Sequence, residues 1–110
     1  MDMYDLNLVL VEGVIIGNVV HSETPDGKKA LNFTIESKRS HADKGDQFYK
    51  HQIVAWDRQI EKMGDQIVNG AFCRIRGHLQ QGRFNYTDAG VSKSFEFDKV
   101  SADFIEVTAP

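Results

Sequence analysis

The sequence predicts one all-β domain, a five-stranded barrel with a single short helix, and three observations support it. Several segments alternate apolar and polar residues, which is the period of a half-buried strand. Only one segment carries apolar residues at helical spacing. The length of 110 residues suits one domain with a modest core, so we expect residues 1–110 to form a single unit.

The first two strands are predicted on either side of a tight turn. Residues 6–20 are rich in β-branched residues, and two glycines within them indicate bulges or a sharp bend. Pro25 and Gly27 occupy the second and fourth positions of residues 24–27, which fits a type I turn. Residues 29–37 then alternate cleanly and predict a second strand. Its buried face would carry Leu31, Phe33 and Ile35.

A loop, a third strand and a helix are predicted next. Residues 37–47 are polar and contain a glycine, which predicts a long hairpin loop, and residues 48–55 predict strand three. Asp57 is a suitable N-cap for the short helix, and Asn69-Gly70 is expected to end it.

The last two strands complete the predicted order. Strand four is expected at residues 71–79, a second hairpin loop at 82–90 and strand five from about Ser94. Strand four would direct Cys73 and Leu79 towards the core. Three strands, one helix and two strands follow the order of the OB-fold, a five-stranded Greek-key barrel with its helix between strands three and four.

The composition argues against several classes of protein. No apolar run approaches the length of a membrane span and no basic signal-peptide start is present, so we expect a cytoplasmic protein without membrane contact. One cysteine cannot form an internal disulfide, and the four histidines lack metal-ligand spacing. No phosphate-binding glycine loop or nucleophile motif occurs. We therefore expect no enzyme, no metal and no cofactor.

Charge is segregated along the chain, although the net charge of −3 does not itself indicate nucleic acid. Acidic residues gather towards both ends, whereas lysines and arginines crowd the middle, with no acid among residues 66–87. Such segregation can build a basic face on an acidic protein, and a scattered, solvated surface is the alternative.

The only tryptophan, Trp56, lies on the face of strand three that points away from Ile53 and Ala55. It shares that face with Lys50 and Gln52, which a core face would not normally carry. This pattern favours a platform on which bases stack, against the alternative of a packed tryptophan.

Cations and further aromatics supply other candidate contacts. Arg74 and Arg76 belong to the outer face of strand four, where they either neutralise phosphates or pair with Glu96 or Asp98 across the sheet. The other candidates lie in the two predicted hairpin loops. For the cations of the first loop, the alternative is that they are simply solvated and contact no ligand. These loop candidates are Lys38, Arg39, Arg83, Phe84 and Tyr86.

An ordered set of short motifs resembles the bacterial single-stranded DNA-binding protein family. The matching pieces are Val11-Glu12-Gly13, Pro25-Asp26-Gly27, Ala30 to Ile35, His51 to Trp56, and Lys62 to Leu79 with its ending Gly77-His78-Leu79. The resemblance implies that Trp56 and Phe84 are stacking aromatics. His41 and Lys50 stand where the family usually has tryptophans, and Tyr49 adjoins the second of these positions.

The resemblance also implies the function and the partners. We expect sequence-nonspecific binding and protection of single-stranded DNA in replication, repair or recombination, by a nucleoid-associated homotetramer that meets replication or repair proteins. The apolar segment at residues 6–11 is a plausible subunit interface. The family's acidic tail is not seen before Pro110, so we expect either a trimmed chain or a tailless relative.

Two other functions stay open. The first is an OB-fold protein-interaction module of a replication-restart factor, of the primosomal replication protein N type, with weak nucleic-acid binding. The second is RNA binding by the same groove, because stacking does not distinguish RNA from DNA. The predicted nucleic-acid-binding residues are Trp56, Phe84, Lys50, Gln52, Arg74, Arg76, Arg83, Lys38, Arg39, His41, Tyr49 and Tyr86.

Overall fold

The computed structural model describes residues 5–108 as a closed five-stranded barrel with one short helix. The strands follow the order β1-β2-β3-β5-β4 around the barrel, with β3 and β5 parallel and every other pair antiparallel. The predicted OB-fold is confirmed, with the helix between β3 and β4. The elements are β1 Val9–Glu23, β2 Lys29–His41, β3 Gly45–Trp56, α1 Asp57–Met63, a 3-10 turn Gly64–Gln66, β4 Phe72–Asp88 and β5 Val91–Thr108.

Strand β1 closes the barrel because it pairs with two neighbouring strands. Its first half pairs with β4 and its second half with β2, and both ladders include Val14. At Gly13 a β-carbon would overlap the carbonyl oxygen of Glu36, so only glycine lets the two strands approach this closely. Gly17 has a φ of 73° and lies where the β1–β2 register shifts, which confirms the predicted irregularity.

The core follows the alternation of the sequence. Buried side chains from all five strands form it, and Ile60 and Met63 of the helix pack against it. Within residues 5–108, no helix is long and apolar enough to cross a membrane. The core residues are Ile15, Leu31, Phe33, Ile35, Ile53, Ala55, Ile67, Ala71, Cys73, Ile75, Val100, Ala102 and Ile105.

The ends of the helix differ from the prediction. Trp56, not Asp57, is the N-cap residue, and its side chain makes no capping hydrogen bond. The Asp57 carboxylate instead accepts a hydrogen bond of 2.6 Å from the backbone N–H of Lys29, so it joins the helix to β2. The α-helix ends at Met63, and Gly70, with a φ of 91°, lies in the later turn into β4.

Both predicted hairpin loops are mostly strand. The β2–β3 ladder continues to the pair His41 and Gly45, and the β4–β5 ladder continues to Asp88 and Val91. These ribbons extend past the barrel and are held by their own ladder hydrogen bonds, so they have no buried apolar face for periodicity to reveal. Leu79, predicted to point into the core, is 48% exposed because it lies where the β4–β5 ribbon leaves the barrel.

The last two residues of the chain, Ala109 and Pro110, lie outside the described residues. The expectation about an acidic tail therefore also falls outside them.

Candidate nucleic-acid interface

The outer face of β2 and β3 gathers three of the predicted contact residues. Trp56, Gln52 and Lys50 alternate along β3, opposite Ala30, Thr34 and Glu36 of β2. Thr34 Oγ1 donates a 3.3 Å hydrogen bond to Gln52 Oε1. Trp56 is half-buried, whereas Gln52 and Lys50 are exposed. This face, defined by Lys50, Gln52 and Trp56, is called the β3 platform below.

Val54 lies between Gln52 and Trp56 on the same strand and is only 1% exposed, although it is not part of the main core cluster. The face around Trp56 is therefore neither wholly solvated nor part of the interior. Trp56 is accordingly only partly accessible to solvent.

The β2–β3 hairpin distributes the other predicted residues over two faces. Lys38 lies opposite Phe48, on the side that also carries Lys50. Arg39, His41 and Tyr49 alternate onto the other side. Tyr49 is 45% exposed, and its hydroxyl donates a 3.0 Å hydrogen bond to Gln47 Oε1.

His41 and Phe48 differ in what they offer to a ligand. His41 is partly buried, and its Nε2 has no hydrogen-bond partner within the described residues. Phe48, which the sequence analysis did not select, is 57% exposed. Its place on the strand face that also carries Lys50 was a signal that could have identified it.

Arg74 and Arg76 lie on a different surface, the outer face of β4, whose neighbours are β1 and β5. Arg74 Nε donates to Glu12 Oε2 at 2.9 Å, and its Nη1 lies 3.8 Å from Glu106 Oε2. The predicted cross-strand pairing therefore occurs, but with Glu12 and Glu106 instead of Glu96 or Asp98. The guanidinium of Arg76 lies 5.7 Å from the ring centroid of Phe104, which is cation–π geometry.

Phe84 and Tyr86 are strand residues of the β4–β5 ribbon, not loop residues. They are 53% and 41% exposed, and their ring centroids are 6.2 Å apart. Two further rings, Phe95 and Phe97 of β5, continue the same cluster, and the sequence analysis missed both. The alternation of phenylalanines with polar residues in strand five was the available signal.

Arg83 points away from Phe84. Adjacent residues of a strand face opposite sides, and Arg83 Nη2 donates to Glu96 Oε1 at 2.8 Å on the polar side of the ribbon. Because both residues belong to a strand instead of the predicted loop, Arg83 and Phe84 lie on opposite faces of the ribbon.

The surroundings of Cys73 and Asp26 shift the pKa of each side chain. Burial raises the pKa of the Cys73 thiol to about 11, so the thiol is protonated in the core at neutral pH. The pKa of Asp26 is lowered because its carboxylate accepts a hydrogen bond from the Thr24 hydroxyl, in the turn before β2. Across the described part of the chain, no cluster of three or more histidine, cysteine or acidic side chains is placed to hold a metal ion.

Comparison with known proteins agrees with this architecture. Among solved structures, a deletion variant of the single-stranded DNA binding protein from Thermus aquaticus superposes with a TM-score of 0.71 at 23% sequence identity. The match covers 94% of this chain and 50% of that one, so the chain spans about half the length of this neighbour. No curated protein matches the chain. The family model described as the single-strand binding protein family matches residues 6–107, and the chain therefore belongs to that family.

Proposed function

We propose that the protein binds single-stranded DNA without sequence specificity and protects it during replication, repair or recombination. Membership of the single-strand binding protein family supports this function. The observation that carries it is the β3 platform, where a half-buried tryptophan shares a partly exposed strand face with a lysine and an amide. Stacking on such a ring tolerates any base, because every base has a π-face.

The residues of the platform have separate roles in this proposal. The open part of the Trp56 ring receives a base, and Gln52 offers an amide to base or sugar groups. Lys50 and, further along the hairpin, Lys38 neutralise phosphates and release condensed counterions. No bond is made or broken in this binding, and the proposed function needs neither a cofactor nor a metal.

Assembly of several copies belongs to the same proposal. Leu6 and Leu8, just before β1, and Leu10 at its start are 92%, 56% and 69% exposed, and leucines this exposed favour a partner surface. A homotetramer would cover them and would let several barrels share one strand of DNA. We place this assembly in the bacterial cytoplasm, associated with the nucleoid and with replication or repair proteins.

The test is a titration of Trp56 fluorescence with a long oligothymidine at several salt concentrations. Quenching that saturates, with an affinity that falls as salt rises, supports stacking together with phosphate contacts. A flat signal, together with no complex in a separate gel-shift assay, would reject the proposal. A parallel titration with an RNA of equal length tests the RNA alternative, because a preference for the 2′-hydroxyl would appear as tighter RNA binding.

A protein-interaction module is the second candidate. The observation in its favour is the outer face of β1, β4 and β5, where Leu10 and Phe104 are exposed and the charge of Arg74 is compensated by two glutamates. Exposed apolar side chains beside a compensated charge suit contact with a protein better than contact with a phosphate backbone. If the chain fails to bind DNA in the titration, this face becomes the leading site for a partner.

A further inference from the structure

The turn that leads into β4 contains the only Asn-Gly pair of the sequence, Asn69-Gly70. The backbone N–H of Ala71 donates to the carbonyl of Val68 at 3.1 Å, and Gly70 has a φ of 91°. A hydrogen bond and a positive φ in these positions fit a type II turn with glycine third. Asn69 and Gly70 are both exposed, so water reaches the pair. Residues 67–71 are called the Asn-Gly turn below.

An asparagine followed by glycine can lose its side-chain amide without an enzyme. The glycine nitrogen gives up its proton to a base in the solvent and attacks the side-chain carbonyl carbon of the asparagine. Ammonia leaves and a cyclic succinimide forms. Water then opens the ring at either carbonyl, which yields aspartate or isoaspartate, so that one water is consumed and one ammonia is released. Glycine favours the attack because it has no β-carbon to obstruct it and its backbone rotates freely.

The fold engages the attacking nitrogen in a hydrogen bond. The N–H of Gly70 donates to the carbonyl of Ile15 at 2.8 Å, and the N–H of Ile15 donates to the carbonyl of Ala71 at 2.8 Å. These two bonds continue the seam between β1 and β4 past the end of their ladder. To reach Cγ of Asn69, the Gly70 nitrogen has to rotate about the Cα–C bond of Asn69. That rotation breaks its hydrogen bond to Ile15.

Buried side chains fix the turn on both sides. Ile67 is 3% exposed and Ala71 0%, so the residues that flank the Asn-Gly pair are both anchored in the core. Ile15, whose carbonyl receives the Gly70 N–H, is also 0% exposed. The pair is thus exposed to water while its backbone is held by the barrel. The rotation that the reaction requires therefore needs a local opening of the turn.

We infer that Asn69 is a latent deamidation site: the hydrogen bond from Gly70 to Ile15 suppresses the reaction in the folded chain, and local opening of the Asn-Gly turn permits it. This inference is independent of the proposed function. Isoaspartate routes the main chain through the side-chain carbon, so the backbone before Gly70 becomes one atom longer. The lengthened turn cannot keep both hydrogen bonds to Ile15. Conversion to isoaspartate therefore weakens the seam between β1 and β4.

The test follows the mass of the peptide that contains the Asn-Gly turn. The full chain is kept in mildly alkaline buffer or in concentrated urea, and is then digested at acidic pH so that no further deamidation occurs. We expect Asn69 to gain the mass of an amide-to-acid conversion in both samples, about ten-fold or more slowly in the folded chain. Asn85 is the internal control, because it is exposed but precedes the bulky Tyr86 and should change little even in urea. Equal rates at Asn69 in the two samples would overturn the inference.

Two variants at the same position separate the reaction from its consequences. Asn69→Gln keeps an amide but cannot form the five-membered ring, so its turn peptide should stay unchanged in urea, and a mass gain there would overturn the assignment. Asn69→Asp carries the charge of the product on a normal backbone, and we expect it to unfold at nearly the same urea concentration as the unaltered chain. The isoaspartate fraction of aged protein, isolated by chromatography, should unfold at a lower concentration. Unchanged stability of that fraction would contradict the weakened seam.

A second pair of variants distinguishes opening of the turn from unfolding of the whole domain. Ile67→Ala and Ile105→Ala remove the same groups from core residues that are 3% and 4% exposed, but only Ile67 flanks the Asn-Gly turn. We expect deamidation of the folded chain to be several-fold faster in Ile67→Ala than in Ile105→Ala. Equal acceleration would assign the reaction to global unfolding and overturn local suppression.

Hydrogen exchange of the unaltered chain keeps the inference testable if Ile67→Ala does not fold. The Gly70 amide should exchange more slowly than it does in the urea-unfolded chain, because its N–H is donated to Ile15. Exchange at the unfolded rate would show that this hydrogen bond does not hold the nitrogen, and would overturn the inference.

Discussion

Trp56 lies directly opposite Ala30 in the antiparallel β2–β3 ladder. Because the partner is an alanine, the β2 residue directly opposite Trp56 has too small a side chain to cover the indole ring. Ala30 is itself only 4% exposed, so this small residue belongs to the packed part of the barrel. A small partner directly across the ladder helps to leave Trp56 only partly buried.

The first prediction concerns the ring of Trp56. Trp56→Ala is expected to weaken binding of oligothymidine by about 1–3 kcal/mol, the usual contribution of one stacked base. Trp56→Phe keeps a π-face and is expected to lose less. Anisotropy of a labelled oligonucleotide is the suitable measurement, since the intrinsic fluorophore is removed. Equal binding by Trp56→Ala and the unaltered chain would show that the indole only packs.

The second prediction separates two cations. Lys50→Ala is expected to reduce the slope of log affinity against log salt by about 0.7, the contribution of one phosphate contact on a single strand. Arg74→Ala is expected to leave the slope unchanged, because Glu12 and Glu106 already compensate its charge. Salt titrations of both variants decide the point. If Arg74→Ala reduced the slope and Lys50→Ala left it unchanged, the DNA would follow the outer face of β4 instead of β3.

Arg74 also allows a prediction about stability. Its pair with Glu12 joins two side chains that are 66% and 53% exposed. Exposed ion pairs of this kind contribute less than about 1 kcal/mol, so Arg74→Ala should barely change the free energy of unfolding in urea. A loss of several kcal/mol would mean that this network holds the β1–β4 seam together.

The fourth prediction concerns the close approach of β1 to β2 at Gly13. Gly13→Ala would press a methyl group onto the backbone carbonyl of Glu36, and backbone atoms cannot move aside as a flexible side chain can. We expect the free energy of unfolding to fall by about 1–3 kcal/mol. Gly64→Ala is the control, because its new methyl group would meet only Ile60 Cγ2 at 3.4 Å. That variant should be neutral or gain up to about 1 kcal/mol. Equal stability of the two variants would contradict the close approach at Gly13.

The fifth prediction follows from the raised pKa of Cys73. A folded-state pKa of about 11, against an ordinary value of 9.0, favours folding while the thiol is protonated. The resulting stability is fully present below pH 9 and is lost as pH rises towards 11. Urea unfolding from pH 8 to 11 measures it, with Cys73→Ala as the control that lacks this component. The same burial predicts slow reaction with a thiol reagent at pH 8 in the folded protein and rapid reaction once urea unfolds it. Rapid reaction in the folded state would show that β4 opens easily.

Alternation along single strands was enough to predict much of the fold. Leu31, Phe33 and Ile35 are buried as their spacing indicates, and Trp56 lies on the outer side of β3. This works because successive side chains of a strand point to opposite faces, so the position of a residue along its strand decides which face it occupies. The same local rule placed loops in both ribbons, because their glycine and polar residues are typical of loops, although Phe95 and Phe97 alternate with polar residues.

The sequence by itself thus determined which residues face the core, which turns separate the strands and which family the motifs resemble. Only the tertiary structure decided which candidate side chains come together. It brought Glu12 to Arg74, which are 62 residues apart, it placed Phe95 beside Phe84, and it set Arg83 on the other side of the ribbon. Strand pairing and register determine these contacts, and they join distant parts of the chain, so local periodicity carries no information about them.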